Sequence, residues 1–232
     1  MSLEVRGITF SYKNGSDVLQ DFTASFAETG ITALTGGNGS GKTTLARVIM
    51  GILTPQKGII TIDGETINGY SLAQRGKLIG YVMQNPARQI FSDTAEEEVM
   101  YGLRNLGLPE EEIRRRTEYY MKYFEIDMYR NTFPFELSQG EKQRLVLAAI
   151  TAMEPKYLLL DEPTVSLDSR RRELLGELLT KVKTRCGIIA VTHDRTFTEK
   201  YCDAEVRMNE HNRNPQRGSA DAQRGSCTGG SE

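Results

Sequence analysis

Residues 36–43, Gly36-Gly37-Asn38-Gly39-Ser40-Gly41-Lys42-Thr43, follow directly on the apolar run Ile31-Thr32-Ala33-Leu34. That order predicts a strand, a glycine loop and then a helix beginning near Lys42. Without side chains, consecutive backbone N–H groups converge on phosphate oxygens at the positive end of such a helix. The loop is therefore read as an anion cradle, with the Lys42 ammonium reaching the β- and γ-phosphates of a nucleotide and the Thr43 hydroxyl ligating Mg²⁺. The competing reading, an ordinary glycine-rich turn, is disfavoured by the full motif lying between strand and helix.

At 232 residues the chain holds one α/β domain with a sizeable core. Residues 3–12 and 22–26 alternate as a small antiparallel sheet ahead of the glycine loop. Further strands are predicted at 59–62, 78–83, 157–160 and 188–191. The last two are uniform apolar runs that suit a parallel sheet covered on both faces. Residues 94–126 read as helix: Thr94 and Glu97 have capping-box spacing, Pro109 suits a first helical position, and Ile113, Thr117, Tyr120, Met121 and Phe124 share a face. The expectation is one domain over 1–208, with a helical part inserted at about 85–155. Residues 209–232, nearly devoid of apolar side chains and carrying Gln-Arg-Gly-Ser twice, are expected to be disordered.

A net charge of −2 gives no reason to expect nucleic acid as a partner. Arg114-Arg115-Arg116 and Arg170-Arg171-Arg172 read as solvated helix faces. A membrane span needs about 18 consecutive apolar residues, and the best stretch, 145–153, falls well short. No basic leader segment opens the sequence, and Cys186, Cys202 and Cys227 lack metal-ligand or disulfide-framework spacing, so a reducing cytosol is expected.

Other residues gather around the same chemistry. Asp161 ends the strand at 157–160, at the sheet edge where ligands of open α/β folds collect, and would hold Mg²⁺ through its water shell. Its neighbour Glu162 is free to act as general base on a water aimed at the γ-phosphate. His193 ends the strand at 188–191 at the same edge and is read as a γ-phosphate contact; Gln84, after 78–83, is a weaker case of the same kind. Farther along, Leu137-Ser138-Gln139-Gly140-Glu141 opens another helix. Ser138 and Glu141 have capping-box spacing, yet Gly140 in the first turn leaves backbone N–H groups open to an anion. One nucleotide already has a complete cradle at 36–43, so this second one would complete the site of another subunit.

With these residues in place, the chain resembles an ATP-binding cassette (ABC) ATPase over 1–208, a P-loop NTPase. The resemblance makes 36–43 its Walker A loop, continued by Thr44, 137–141 its signature motif acting in trans, and 157–162 its Walker B strand. It makes Ser166-Leu167-Asp168 the D-loop, Gln84 a catalytic and Mg²⁺-linked glutamine, and His193 the switch histidine. Tyr12 either stacks on adenine or is a buried strand tyrosine. The segment 84–94 with Glu96-Glu97-Glu98-Val99 and Leu106-Gly107-Leu108 is similar to ATPase components of energy-coupling factor (ECF) transporters. This implies import of a vitamin or metal ion, a second ATPase subunit (identical or a paralogue), a transmembrane coupling protein and a substrate-binding membrane subunit. It also implies a peripheral place at the cytoplasmic face of the membrane. Pro86 to Phe91 would then form a groove for a partner helix, unless Ile90 and Phe91 pack in the core. Two departures stand out: Gln139 in place of the signature's commoner glycine, and Val165-Ser166 before Leu167-Asp168.

Two other functions fit parts of the pattern. A soluble ABC-type mechanical ATPase would be expected to carry a long coiled-coil insertion or a second cassette. A small-molecule kinase would leave the signature loop and His193 without a task.

Overall fold

The computed structural model describes residues 2–13, 17–165 and 167–208. Ser166 of the expected D-loop and the segment 209–232 lie outside the described residues. An antiparallel sheet is built from β1 (Ser2–Ser11), β2 (Asp17–Ala27), β4 (Lys57–Ile62) and β5 (Glu65–Thr66), in the order β2-β1-β4-β5. A parallel sheet runs β6-β7-β8-β3-β9, from β6 (Ile79–Val82), β7 (Tyr157–Asp161), β8 (Gly187–Val191), β3 (Ile31–Gly36) and β9 (Ala204–Met208).

Every residue of β7 and β8 is buried, because the parallel sheet is covered on both faces. Alternate side chains divide between two cores. Leu158, Leu160, Ile188 and Ala190 meet the helices α3 (Ala95–Asn105), α4 (Glu110–Tyr123), α5 (Gln139–Ala152) and α6 (Ser169–Val182). Tyr157, Leu159, Ile189 and Val191 meet α1 (Lys42–Met50) and the antiparallel sheet. Between β6 and β7 the described chain forms helices and loops without a strand, α3 and α4 both packing on α5.

The helical segment differs from the expectation in two ways. The chain breaks between α3 and α4, where Gly107 takes a left-handed φ of 73° and its N–H donates to the Arg104 carbonyl at 2.9 Å. Pro109 then stands at the N-cap of α4 rather than inside its first turn, and α4 ends at Tyr123, with Glu125 at a φ of 54°. Of the expected Thr94–Glu97 pair, the Thr94 hydroxyl accepts from the Glu97 N–H at 3.2 Å. The strand β9, which the sequence did not suggest, closes the sheet beside β3.

The α-helices α2 (Leu72–Leu78) and α7 (Arg195–Tyr201) flank the core. Arg75 of α2 is only 3% exposed and forms no ion pair with a carboxylate among the described residues. Its guanidinium donates to the carbonyls of Val48 and Ile49 at the C-terminal end of α1, at 3.1 and 2.7 Å, and to that of Asn68 at 3.2 Å. Burial lowers its pKa without a compensating charge, so the negative end of the α1 dipole is its counter-ion. No helix among the described residues is long and apolar enough to cross a membrane.

Candidate functional site

The glycine loop joins β3 to α1 through backbone that side chains would obstruct. Gly36 has a φ of 151°, and a Cβ there would stand 2.5 Å from the Met208 carbonyl oxygen of β9. Gly39 and Gly41 lie at φ 79° and 93°. Gly41 is the N-cap of α1, so no side chain occupies the first N–H groups of that helix. Gly37, Asn38 and Gly39 are exposed, whereas the Ser40 hydroxyl is buried and lacks a hydrogen-bond partner. Lys42, only 8% exposed, folds back so that its Nζ donates to the carbonyls of Gly36 and Gly37, both at 2.9 Å.

Beside this loop two hard oxygen donors converge. The Thr43 hydroxyl lies 3.3 Å from Asp161 Oδ1, and the Tyr81 hydroxyl donates to Asp161 Oδ2 at 3.0 Å. Burial, and then the neighbouring carboxylate, push the Tyr81 phenol well above its ordinary range. It therefore stays a proton donor to Asp161. Tyr81 was not singled out in the sequence, since its role depends on β6 lying beside β7.

Glu162 follows β7 in a left-handed conformation, φ 50°, held by its N–H to the Val191 carbonyl at 2.8 Å and by its carbonyl to the Val165 N–H at 3.2 Å. Its carboxylate Oε2 stands 2.9 Å from His193 Nδ1. The glutamate side chain is 16% exposed and the imidazole 63%. Gly36, Gly37 and His193 border one cavity of about 710 Å³.

Tyr12 lies one residue beyond β1, 44% exposed, so it is not a buried strand tyrosine. Its ring meets Phe10 edge-on at 5.0 Å and its hydroxyl lies 3.2 Å from Thr44 Oγ1. Gln84 is exposed just past β6 and makes no hydrogen bond to Thr43 or Asp161. It lines a separate cavity of about 310 Å³ with Gln139, Pro163 and Leu167.

The loop 137–141 is built as its spacing predicts. Ser138 caps α5, its N–H donating to Glu141 Oε2 at 2.7 Å and its hydroxyl accepting from the Glu141 N–H at 3.4 Å. The Tyr129 hydroxyl, and then the Ser138 hydroxyl and N–H, hold the Glu141 carboxyl below its usual range. Leu137 is buried, Gln139 exposed, and Gly140 has only the Arg171 side chain nearby, at 3.8 Å from a notional Cβ. No hydrogen bond or ion pair joins this loop to residues 36–43, and Ser138 and Gly140 line a cavity of their own. Asp168 caps α6, accepting from the Arg171 N–H at 2.8 Å. Of the two residues weighed for core packing at 90–91, Ile90 is buried at 5% exposure, while Phe91 is 58% exposed and meets the exposed Tyr101 ring at 4.5 Å.

A family model described as ABC transporter matches residues 19–165. An ABC transporter ATP-binding protein of Pyrococcus furiosus is 42% identical over 202 residues, covering 87% of this chain and 77% of the relative. A counterpart from Pyrococcus horikoshii is 43% identical over 209 residues, covering 90% and 80%. The solved structure of cbiO1 from Clostridium perfringens, described as part of the ABC transporter complex cbiONQ, superposes with a TM-score of 0.84 at 35% identity, covering 92% of this chain and 86% of that one.

Proposed function

The chain belongs to the ABC transporter family of ATP-binding subunits, which are ATPases, and from this we propose that it is the motor of an ECF-type importer. Two such subunits, identical or paralogous, close around two ATP molecules, each site completed by the 137–141 loop of the facing copy. The observation that carries this reading is the division of labour within one chain. The glycine loop, Asp161, Glu162 and His193 gather at the ends of neighbouring parallel strands, whereas the anion-ready N-terminus of α5 stands apart with no nucleotide cradle of its own.

In this reading the open N–H groups of residues 37–43 and the Lys42 ammonium hold the β- and γ-phosphates, Lys42 exchanging its two carbonyl partners for phosphate oxygens. Tyr12 orients the adenine by stacking, beside Thr44. The oxygens of Thr43 and Asp161 suit a hard divalent cation, and would hold Mg²⁺, Asp161 through its water shell and Gln84 from its loop. That ion supplies neutralisation of the phosphate charge. Glu162 takes a proton from the attacking water, and His193 holds the Glu162 carboxylate while facing the γ-phosphate. Ser138 and Gly140 of the facing subunit enclose that phosphate, and Asp168 lies at the same junction.

The exposed Phe91 and Tyr101 border a cavity of about 260 Å³ with Gln89, Val146, Ile150 and Met153. This groove would receive a helix of the membrane coupling protein, keeping the chain peripheral at the cytoplasmic face. The likeness to cbiO1, described as part of an ABC transporter complex, supports a place in a multi-component transporter. In the proposed importer a separate membrane subunit captures a vitamin or metal ion.

Swinging such a pair from 1:99 open to 99:1 closed requires ATP to prefer the closed form by about 5.5 kcal/mol. Ser138→Arg, in purified subunits that still melt cooperatively, should abolish ATP-driven closure. Closure as strong as that of the wild type overturns the reading.

A further inference from the structure

Gln143 lies in α5 two residues beyond the signature loop, 8% exposed. Its Nε2 donates to the carbonyl of Pro163 at 3.0 Å, a buried hydrogen bond between the helical layer and the turn that follows β7. Only the amide nitrogen can serve a carbonyl, so the orientation of the side chain is fixed by its partner. Pro163 is itself buried and comes directly after Glu162.

A non-glycine residue keeps a left-handed backbone only where its surroundings over-determine it. At Glu162 two of the restraints are local to the sheet and turn: the N–H bond to Val191 and the carbonyl bond from Val165. The restraint from Gln143 comes from a different layer of the molecule. We infer that Gln143 is a positioning residue for the catalytic carboxylate, tying the direction of Glu162 to the helix whose N-terminus carries Ser138 and Gly140. Gln84, Gln139, Gln143 and Pro163 line one cavity, so three loops of the proposed mechanism adjoin this bond. A displacement of α5 therefore reaches Glu162 through one side chain.

This inference rests on the assignment of Glu162 as general base, and the experiment separates the two. Gln143→Met removes the donor at nearly constant volume. In the full chain, with phosphate release measured against ATP concentration, kcat should fall about ten- to a hundredfold with KM changed less than about twofold. Gln143→Glu, which puts an acceptor where the donor stood, should give the same pattern and serves if the methionine variant does not fold. The double variant Gln143→Met with Glu162→Gln should turn over no more slowly than Glu162→Gln alone, because a group that acts through Glu162 has nothing left to position. Wild-type kcat in both Gln143 variants, equal changes in kcat and KM, or multiplied losses in the double variant each overturn the inference. Wild-type turnover by Glu162→Gln alone would instead remove the assignment on which it stands.

Discussion

His193 Nδ1 and Glu162 Oε2 stand 2.9 Å apart, although 31 positions separate the two residues in the chain. The pairing follows from the sheet. Asp161 and Val191 are register partners across β7 and β8, so the chain leaves both strands at one edge. A histidine N–H donated to the carboxylate fixes its direction without consuming its basicity altogether.

Removing Glu162, the proposed base, should therefore cost more than removing His193, its proposed holder. Glu162→Gln should retain ATP binding while phosphate release falls about 10²- to 10⁴-fold, the range for a lost general base. His193→Ala should also bind ATP and lose turnover. Nucleotide binding by fluorescence and phosphate release by a coupled assay check both, and a Glu162→Gln protein with unchanged turnover would displace the assignment.

Glu98 of α3, 6% exposed, accepts from the N–H groups of Phe91 and Ser92 at 3.1 and 2.9 Å. It shapes the loop that presents Phe91. Glu98→Ala leaves those two donors without their partner, at about 1–3 kcal/mol for a buried unsatisfied group. For a chain of this size each kcal/mol lowers Tm by roughly 2–4 °C. Hydrogen exchange should show lost protection at Phe91 and Ser92, and protection equal to wild type would mean that other contacts hold the loop.

The carboxyl of Glu141 is held below its ordinary range in the folded state. The sign follows from linkage: its contribution to stability is present above the unfolded pKa of about 4.3 and is lost as pH falls through the lower, folded value. The melting difference between the wild type and Glu141→Gln should therefore be largest near neutral pH and shrink on acidification. A difference that grows toward acid would contradict the capping geometry.

Much of this architecture was legible because burial on both faces demands uniform apolar strands, as at Leu158 to Leu160 and Ile188 to Val191. β9 was not, since it is an edge strand whose Ala204, Glu205 and Arg207 are exposed and carry no such signature. Pro109 marks the start of α4 in the sequence, but the stop of α3 before Gly107 is hidden, because the apolar positions of α4 continue a helical spacing. Within the candidate site, the Ser138–Glu141 reciprocity could be read from a spacing of three. The partners Tyr81 and Gln143 could not. Each makes a bond fixed by tertiary register, to a carboxylate on the next strand and to a carbonyl in another layer.

The carbonyl collar around Arg75 has a bearing on how this ATPase tolerates its solvent. Exposed pairs such as Arg115 with Glu112 fade as ionic strength rises, and they vanish in acid when the carboxylate is neutralised. A guanidinium seated on main-chain oxygens has no counterpart that protonation can silence, and its burial limits what dissolved ions can screen. The rear of α1 should thus stay moored in brine and at low pH, long after the surface of the molecule has lost its charge pairing.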